Sequence, residues 1–378
     1  MELVFWLSVG LTVYVYAGYP LLLGVWARVV MLRRGVSDPG AAEAPVVLPP
    51  VTVIIAAKNE ARRLPARIEN LLASDYPKDL MQIVVASDGS TDDTMDVLAS
   101  YASSVEIIPL PPGGKAQALN AAAAVARNPI LVFADARQQF APDTIRRLVR
   151  HFASASVGAV SGELVLDCER LERDDPDAEQ ADLKDPSGQH STIGEGVGIY
   201  WKYEKWLRRR EAIVGSTLGV TGAVYAMRRS LWQPLPPDTI LDDVLGPMRI
   251  VLRRSRVIFD STARAFDEAS KDVSAETQRK VRTLAGNFQL LAAEPRLLLP
   301  GVNPVWLQFM SHKVGRLAVP YALVAVFASS AWLASLSWIY ASAFGAQLVF
   351  YGLAAYGAVL DRRRRATAPL TEVVHEAA

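Results

Sequence analysis

Four acidic residues in this chain have the type and placement to do group-transfer chemistry: Asp88, Asp135 and the adjacent pair Asp242-Asp243. Asp88 closes the apolar run Ile83-Val-Val-Ala-Ser-Asp88 and is followed by Gly89 and a Ser/Thr cluster. Asp135 closes Ile130-Leu-Val-Phe-Ala-Asp135. A carboxylate just past a buried parallel strand stands where an open α/β sheet binds nucleotides. There it can accept a hydrogen bond from a pyrimidine imide N–H, or hold a cation against a diphosphate. A carboxylate at a helix start can instead take a proton from an attacking hydroxyl.

Transfer of a sugar from a nucleoside diphosphate makes four demands: a pocket for base and ribose, counter-charges for the diphosphate, a base for the acceptor hydroxyl, and stabilisation of the leaving group. The elements that must position such groups are legible. Val51–Ala57 reads as a strand buried on both faces, followed by an amphipathic helix Ala61–Ala73 with Leu64, Ile68, Leu71 and Leu72 on one side. Strands at 82–86, 105–108 and 130–134 alternate with helices at 92–101 and 116–127, the pattern of a parallel sheet covered on both faces. Further on come a strand at 157–166, a helix at 200–210, a strand at 222–227, a helix at 244–252, a strand at 256–259 and a basic helix at 274–291.

Bulk properties narrow the function. The chain has 378 residues and a net charge of +1, which argues against nucleic acid as a partner. A single cysteine, Cys168, excludes a disulfide framework, and the four histidines have no zinc-like spacing. No G-x-G-x-x-G follows the first strand, so a dinucleotide oxidoreductase is excluded. Gly113-Gly-Lys115 is not a phosphate-binding P-loop, because Ala116 stands where Ser or Thr would bind magnesium.

The ordered motifs resemble those of the family 2 glycosyltransferases of the membrane-anchored bacterial type, over about residues 50–290. The resemblance implies an α/β GT-A-like fold, a mostly parallel sheet with helices on both faces. Ala56-Ala-Lys-Asn-Glu60 is similar to the strand end whose glutamate approaches the nucleoside. Ser87-Asp88-Gly89-Ser90 is similar to the turn whose aspartate bonds the uracil ring, with Ser87 in place of a first acid. Gly113–Asn120 resembles the glycine-lysine-asparagine loop, which implies donor contacts for Lys115 and Asn120. Phe133-Ala-Asp-Ala-Arg137 occupies the place of the Asp-x-Asp motif, implying that Asp135 meets ribose and a diphosphate-bound Mg²⁺ or Mn²⁺.

Arg137 replaces the second acid of that motif. Either Asp135 holds the ion with water and phosphate ligands, or Arg137 pairs with phosphate and partly substitutes for the metal. Thr221-Gly222-Ala223 resembles the small-residue acceptor segment. Leu241-Asp-Asp-Val244 resembles the catalytic acid pair, with Asp243 as general base and Asp242 supporting it. Arg279 and Arg282 match the Gln and Arg places of the Gln-x-x-Arg-Trp motif, with Thr283 where tryptophan stands in processive members. The activity implied is inverting transfer from a nucleotide-sugar donor, uridine-linked, to a lipid-linked or saccharide acceptor. The alternative class is a membrane scaffold that keeps the fold without turnover, and Arg137 is the residue that favours it.

A hydrophobic fraction of 51% is concentrated at the chain ends. Leu3–Ala27 is long enough to cross a bilayer, and Pro20 is expected to kink it. Glu2 precedes this stretch and Arg28, Arg33 and Arg34 follow it, the flanks of a retained anchor whose C-terminal side is cytoplasmic. Leu317–Leu360 is uncharged, with a turn expected at 341–345 and helices at 317–339 and 343–360. Arg316 and Arg362–Arg365 hold both outer ends in the cytoplasm.

The expected organisation is an anchor (1–34), a Gly/Ala/Pro-rich linker (35–50) and the transferase domain (51–291), with a mobile acidic insertion at 167–191. An interfacial segment (292–316), two transmembrane helices (317–360) and a cytoplasmic tail (361–378) follow. The protein is then multi-pass in the cell's inner membrane, in contact with membrane lipids, with its catalytic domain in the cytoplasm.

Overall fold

The computed structural model describes residues 1–34, 47–166, 192–267 and 273–367. The expected acidic insertion, most of the linker and the end of the tail lie outside these residues. Two compact units emerge, one from Met1–Tyr19 with the segment from Val314 onward, the other from Pro20–Lys313.

The chain opens with α1 (Glu2–Val13), a π-helical turn at Tyr14–Gly18 and α2 (Tyr19–Arg34). The π turn stands where Pro20 would otherwise clash with the carbonyl four residues back, and it accommodates that proline within a helical run. In the second unit, β1 (Val51–Ala57), β2 (Met81–Asp88), β3 (Glu106–Leu110) and β4 (Ile130–Ala134) form the parallel half of an eight-stranded sheet, in the order β3-β2-β1-β4. Nearly every residue of β1 and β4 is buried, as their uninterrupted apolar character requires. The helices α3 (Leu64–Leu72), α4 (Thr94–Ala99) and α5 (Lys115–Val125) connect them, and Leu64, Ile68 and Leu71 enter the same core as Val53 and Val132.

The rest of the sheet is mixed. The two-residue β5 (Gln139–Phe140) is followed by α6 (Thr144–Val149), β6 (Val157–Leu166), α7 (Thr192–Val214) and β7 (Val224–Arg228). Then come α8 (Asp242–Leu252), β8 (Arg256–Asp267) and α9 (Val273–Ala293). β7 lies antiparallel between β4 and β6, β8 runs parallel to β6, and β5 closes the edge antiparallel to β8. Parallel pairing therefore runs through β3-β2-β1-β4 and recurs between β6 and β8, while β7 and β5 are the antiparallel members. β8 runs eight residues beyond the expected end at 259, through a register shift opposite Ser161/Glu163, and so carries Asp267 to the edge strand.

A short α10 (Trp306–Gln308) leads through a π-helical turn at Phe309–Val314 into α11 (Gly315–Leu333), and α12 (Trp338–Thr367) follows. The break between the last two helices lies at 334–337. The turn expected at 341–345 is helical, because Ala341, Ser342, Ala343 and Phe344 surround a lone Gly345 that a helix tolerates. Among the described residues three helical stretches, Glu2–Arg33, Trp306–Leu333 and Trp338–Gly357, are long and apolar enough to cross a membrane. In the first unit Phe5 meets Tyr340 edge-on at 5.0 Å, while Leu3, Leu7, Val324, Trp332, Phe350 and Leu353 point outward.

Candidate active site

Asp88 ends β2 and is 4% exposed. Its Oδ1 accepts from the backbone N–H of Gly113 at 2.6 Å and of Gly114 at 2.9 Å, and Lys58 Nζ lies 3.5 Å from Oδ2. Gly114 caps α5 at φ 88°, a left-handed conformation that glycine adopts without strain and that aims both amides at the carboxylate. Burial opposes charge on Asp88, but these two amides and Lys58 outweigh it and hold the pKa below the usual aspartate value. Asp88 therefore also has a structural role, since it ties the strand end to the loop that delivers Lys115.

Lys115 is the hub. Its Nζ lies 3.1 Å from Asp135 Oδ1, just past β4, and 3.5 Å from Asp242 Oδ2, at the start of α8. One ammonium thus joins the strand-end acid and the helix-start acid, which lie far apart in the chain. Burial disfavours the charged lysine, yet Asp135, Asp242 and Asp243 together keep its pKa above the ordinary lysine value.

Asp243 is half-buried beside this hub. Burial, then the neighbouring Asp242 carboxylate, push its pKa up to about 6, against the pull of Lys115, Lys313 and Arg208. A carboxylate so raised is a better proton acceptor at neutral pH than an ordinary one. The segment Val220–Ala223 backs it: Val220 N–H donates to the Asp243 carbonyl at 2.9 Å, and a Cβ on Gly222 would touch Asp243 Cβ at 3.4 Å. Thr221 and Ala223 are buried on either side, with Thr221 N–H donating to Ser161 Oγ at 2.9 Å.

Other expected site residues are placed differently. Arg137 is held by the buried Asp267 carboxylate, which also accepts from Gln138 Nε2 at 2.8 Å. The long β8 supplies that partner, so a counter-anion for Arg137 is already present within the chain. Asn120 clamps the turn at Leu235, donating to its carbonyl and accepting from its N–H, both at 2.8 Å. Glu60 faces Arg63 at 3.0 Å beside a shallow cavity lined by Asn59, Arg62 and Asp92. Arg279 and Arg282 are exposed on α9. That helix is fixed further along, where Gln289 accepts from Ile240 N–H at 2.9 Å and Gly286 abuts Leu241.

Arg67, Arg208 and Lys313 escape the sequence reading. Arg67 is 1% exposed, lies 4.0 Å over the Phe140 ring, and feels the Asp135 carboxylate. Its position three residues after Leu64 puts a charge on the apolar stripe of α3, and that was the available signal. Arg208 and Lys313 come from α7 and from the turn before α11, and no local pattern marks either one.

For a divalent ion the donor set is narrow. Asp135 is one carboxylate whose Oδ1 already faces Lys115, and among the described residues no group of three or more acidic, His or Cys side chains could hold a metal. One carboxylate with donor phosphates and water still fits the way Mg²⁺ is commonly held at phosphate sites.

Residues 52–230 match the family described as Glycosyl transferase family 2. Among curated proteins the chain is similar to the beta-monoglucosyldiacylglycerol synthases of Nostoc sp. and Synechocystis sp., each 32% identical over 30% of this chain. The matched stretch spans about a quarter of the length of those relatives. Among solved structures, it is similar to the mannosyltransferase PcManGT from Pyrobaculum calidifontis, described in complex with GDP-Man and Mn²⁺. The TM-score is 0.65 at 24% identity, covering 94% of this chain and 92% of that one. That likeness is one of fold, and the GT-A-like architecture expected from the motifs is the one observed.

Proposed function

We propose that this chain, which belongs to glycosyl transferase family 2 through residues 52–230, is an inverting transferase that moves a sugar from a UDP-linked donor to a lipid acceptor at the cytoplasmic membrane face. The observation that carries this reading is the convergence of Asp135, Lys115, Asp242 and Asp243 at one point. The nucleotide would lie over the ends of β1 and β2, near Glu60 and Asp88. Lys115 would offset charge on the diphosphate as the C–O bond to the anomeric carbon breaks. The acceptor hydroxyl would attack that carbon from the opposite face and give its proton to Asp243. A divalent ion held by Asp135 and the donor would add Lewis-acid neutralisation of the leaving group. A lipid acceptor is supported by the three long apolar helices and by the names of the curated relatives.

Purified protein in lipid nanodiscs, offered a panel of UDP- and GDP-sugars, tests the reading. Labelled sugar should move from a UDP donor into the lipid fraction with inversion at the anomeric carbon. Absence of transfer and hydrolysis with every donor would sink it. Orientation is tested in a Cys168→Ser background with Ser100→Cys. A membrane-impermeant reagent added to intact cells should leave that site unlabelled, and labelling would reverse the topology.

A further inference from the structure

Thr221 lies in the strip that backs Asp243, and it is held from two directions. From β6, the fully buried Ser161 accepts the Thr221 N–H on its Oγ at 2.9 Å. From α7, Arg208 Nη1 donates to Thr221 Oγ1 at 3.0 Å. The residues on either side of Thr221 bear on Asp243. Val220 N–H donates to its carbonyl at 2.9 Å, and a Cβ on Gly222 would lie 3.4 Å from its Cβ. Bonds to the amide and to the hydroxyl fix both the backbone and the χ1 of Thr221, and with them the place of the strip against the start of α8.

Arg208 can serve as a fixed point because α7 is itself anchored around it. Lys205, three residues earlier, lies 3.2 Å from the buried Glu163 of β6. Glu204 and Glu211 share the face of Arg208 at spacings of four and three, and they hold His312 between them at 3.5 and 2.7 Å. At the helix end, Arg256 of β8 donates to the carbonyls of Ala212 at 2.9 Å and Gly215 at 3.1 Å. We propose that Arg208 is a positioning residue for Asp243, acting through Thr221 to set residues 220–222 against the base and so to align it with the acceptor hydroxyl. This rests on the reading of Asp243 as the base. A misplacement of about 1 Å at a reacting group can cost on the order of a hundredfold in rate, so one bond behind the base bears on turnover without touching the donor.

Amide hydrogen exchange on the purified full-length protein tests the positioning without any sugar. Arg208→Gln is neutral and too short to reach Thr221, and Thr221→Val removes the acceptor. Each should speed exchange across residues 219–223 about tenfold, and the double variant should be little faster than either, because both changes break the same bond. Arg208→Lys keeps a donor and the charge and should recover most of the protection, while exchange in β1 stays as it was. Unchanged exchange across 219–223 in Arg208→Gln, or an equal rise in β1, would overturn the proposal.

Turnover supplies the second reading. Both single changes should lower kcat about tenfold or more with donor KM little altered, and Arg208→Lys should regain most of the rate. Asp242, Lys115, Lys313 and Arg208 act on the Asp243 carboxylate, and the buried Tyr225 hydroxyl stands in its field. Removing the positive charge of Arg208 leaves that carboxylate more basic. The acid limb of kcat/KM near pH 6 should therefore move up in Arg208→Gln and stay in place in Thr221→Val. A raised donor KM with kcat unchanged would assign Arg208 to the donor side and overturn the proposal. A wild type that transfers no sugar would count against the proposed activity and leave the exchange comparison to decide this one.

Discussion

Asp88 offers a perturbation whose size follows from two bonds. Its Oδ1 accepts from Gly113 and Gly114 at 2.6 and 2.9 Å, and Lys115 is the next residue. Asp88→Ala deletes the acceptor and leaves two amides to a partly exposed loop, where water replaces some of the loss. At about 0.5–1.5 kcal/mol net per bond, the cost is roughly 1–3 kcal/mol. Asp88→Asn keeps an oxygen in place and loses only the charge assistance, so it should cost about half as much. A kilocalorie lowers the melting temperature of a domain of this size by about 2–4 °C. Thermal unfolding in detergent should therefore rank the wild type above Asn and Asn above Ala. Donor affinity by calorimetry should fall in the same order, about tenfold for Ala, because the loop that sets Lys115 is loosened. Unchanged melting and donor affinity in Asp88→Ala would refute the coupling between this strand end and the lysine.

Two further outcomes follow. Asp243 must be deprotonated to act, so kcat/KM should fall as pH drops through about 6; Asp242→Asn removes the negative neighbour and should move that limb to lower pH, whereas a limb that stays put would exclude the pairing. Asn120→Ala breaks two 2.8 Å bonds to Leu235 and should cost about 1–3 kcal/mol in thermal unfolding while donor affinity changes little, and a large loss of donor affinity would return Asn120 to the nucleotide pocket.

The parallel half of the fold was legible because β1, β2 and β4 are largely buried and β2 and β4 run up to carboxylates, a pattern visible within five or six residues. The edge of the sheet was not. β8 alternates buried residues such as Ala263 and Ala265 with the exposed Arg264, so beyond residue 259 it reads as polar connection, and β5 is too short to have a period. The site followed the same division. Lys115, Asp135 and Asp242-Asp243 sit in local motifs and converge, and Asp88 ties its strand end to the loop before Lys115, whereas Arg137 and Asn120 sit in motifs but are bound to partners far along the chain. Asp267 and Leu235 are those partners, and no spacing rule connects them to 137 or 120. Arg208 and His312 come together with Glu204 and Glu211 only through the packing of His312 on α7, a tertiary contact with no sequence signature.

Catalysis by Asp243 is tested most directly by single-turnover transfer from saturating UDP-sugar in Asp243→Asn, measured beside Asp242→Asn. The Asn side chain keeps the shape and cannot take the acceptor proton. Transfer should fall about a hundredfold to ten-thousandfold in Asp243→Asn, with donor affinity retained and a smaller loss in Asp242→Asn. Near-normal transfer by Asp243→Asn alongside an inactive Asp242→Asn would contradict the assignment of the base, and full activity in both would contradict a catalytic role for this helix start.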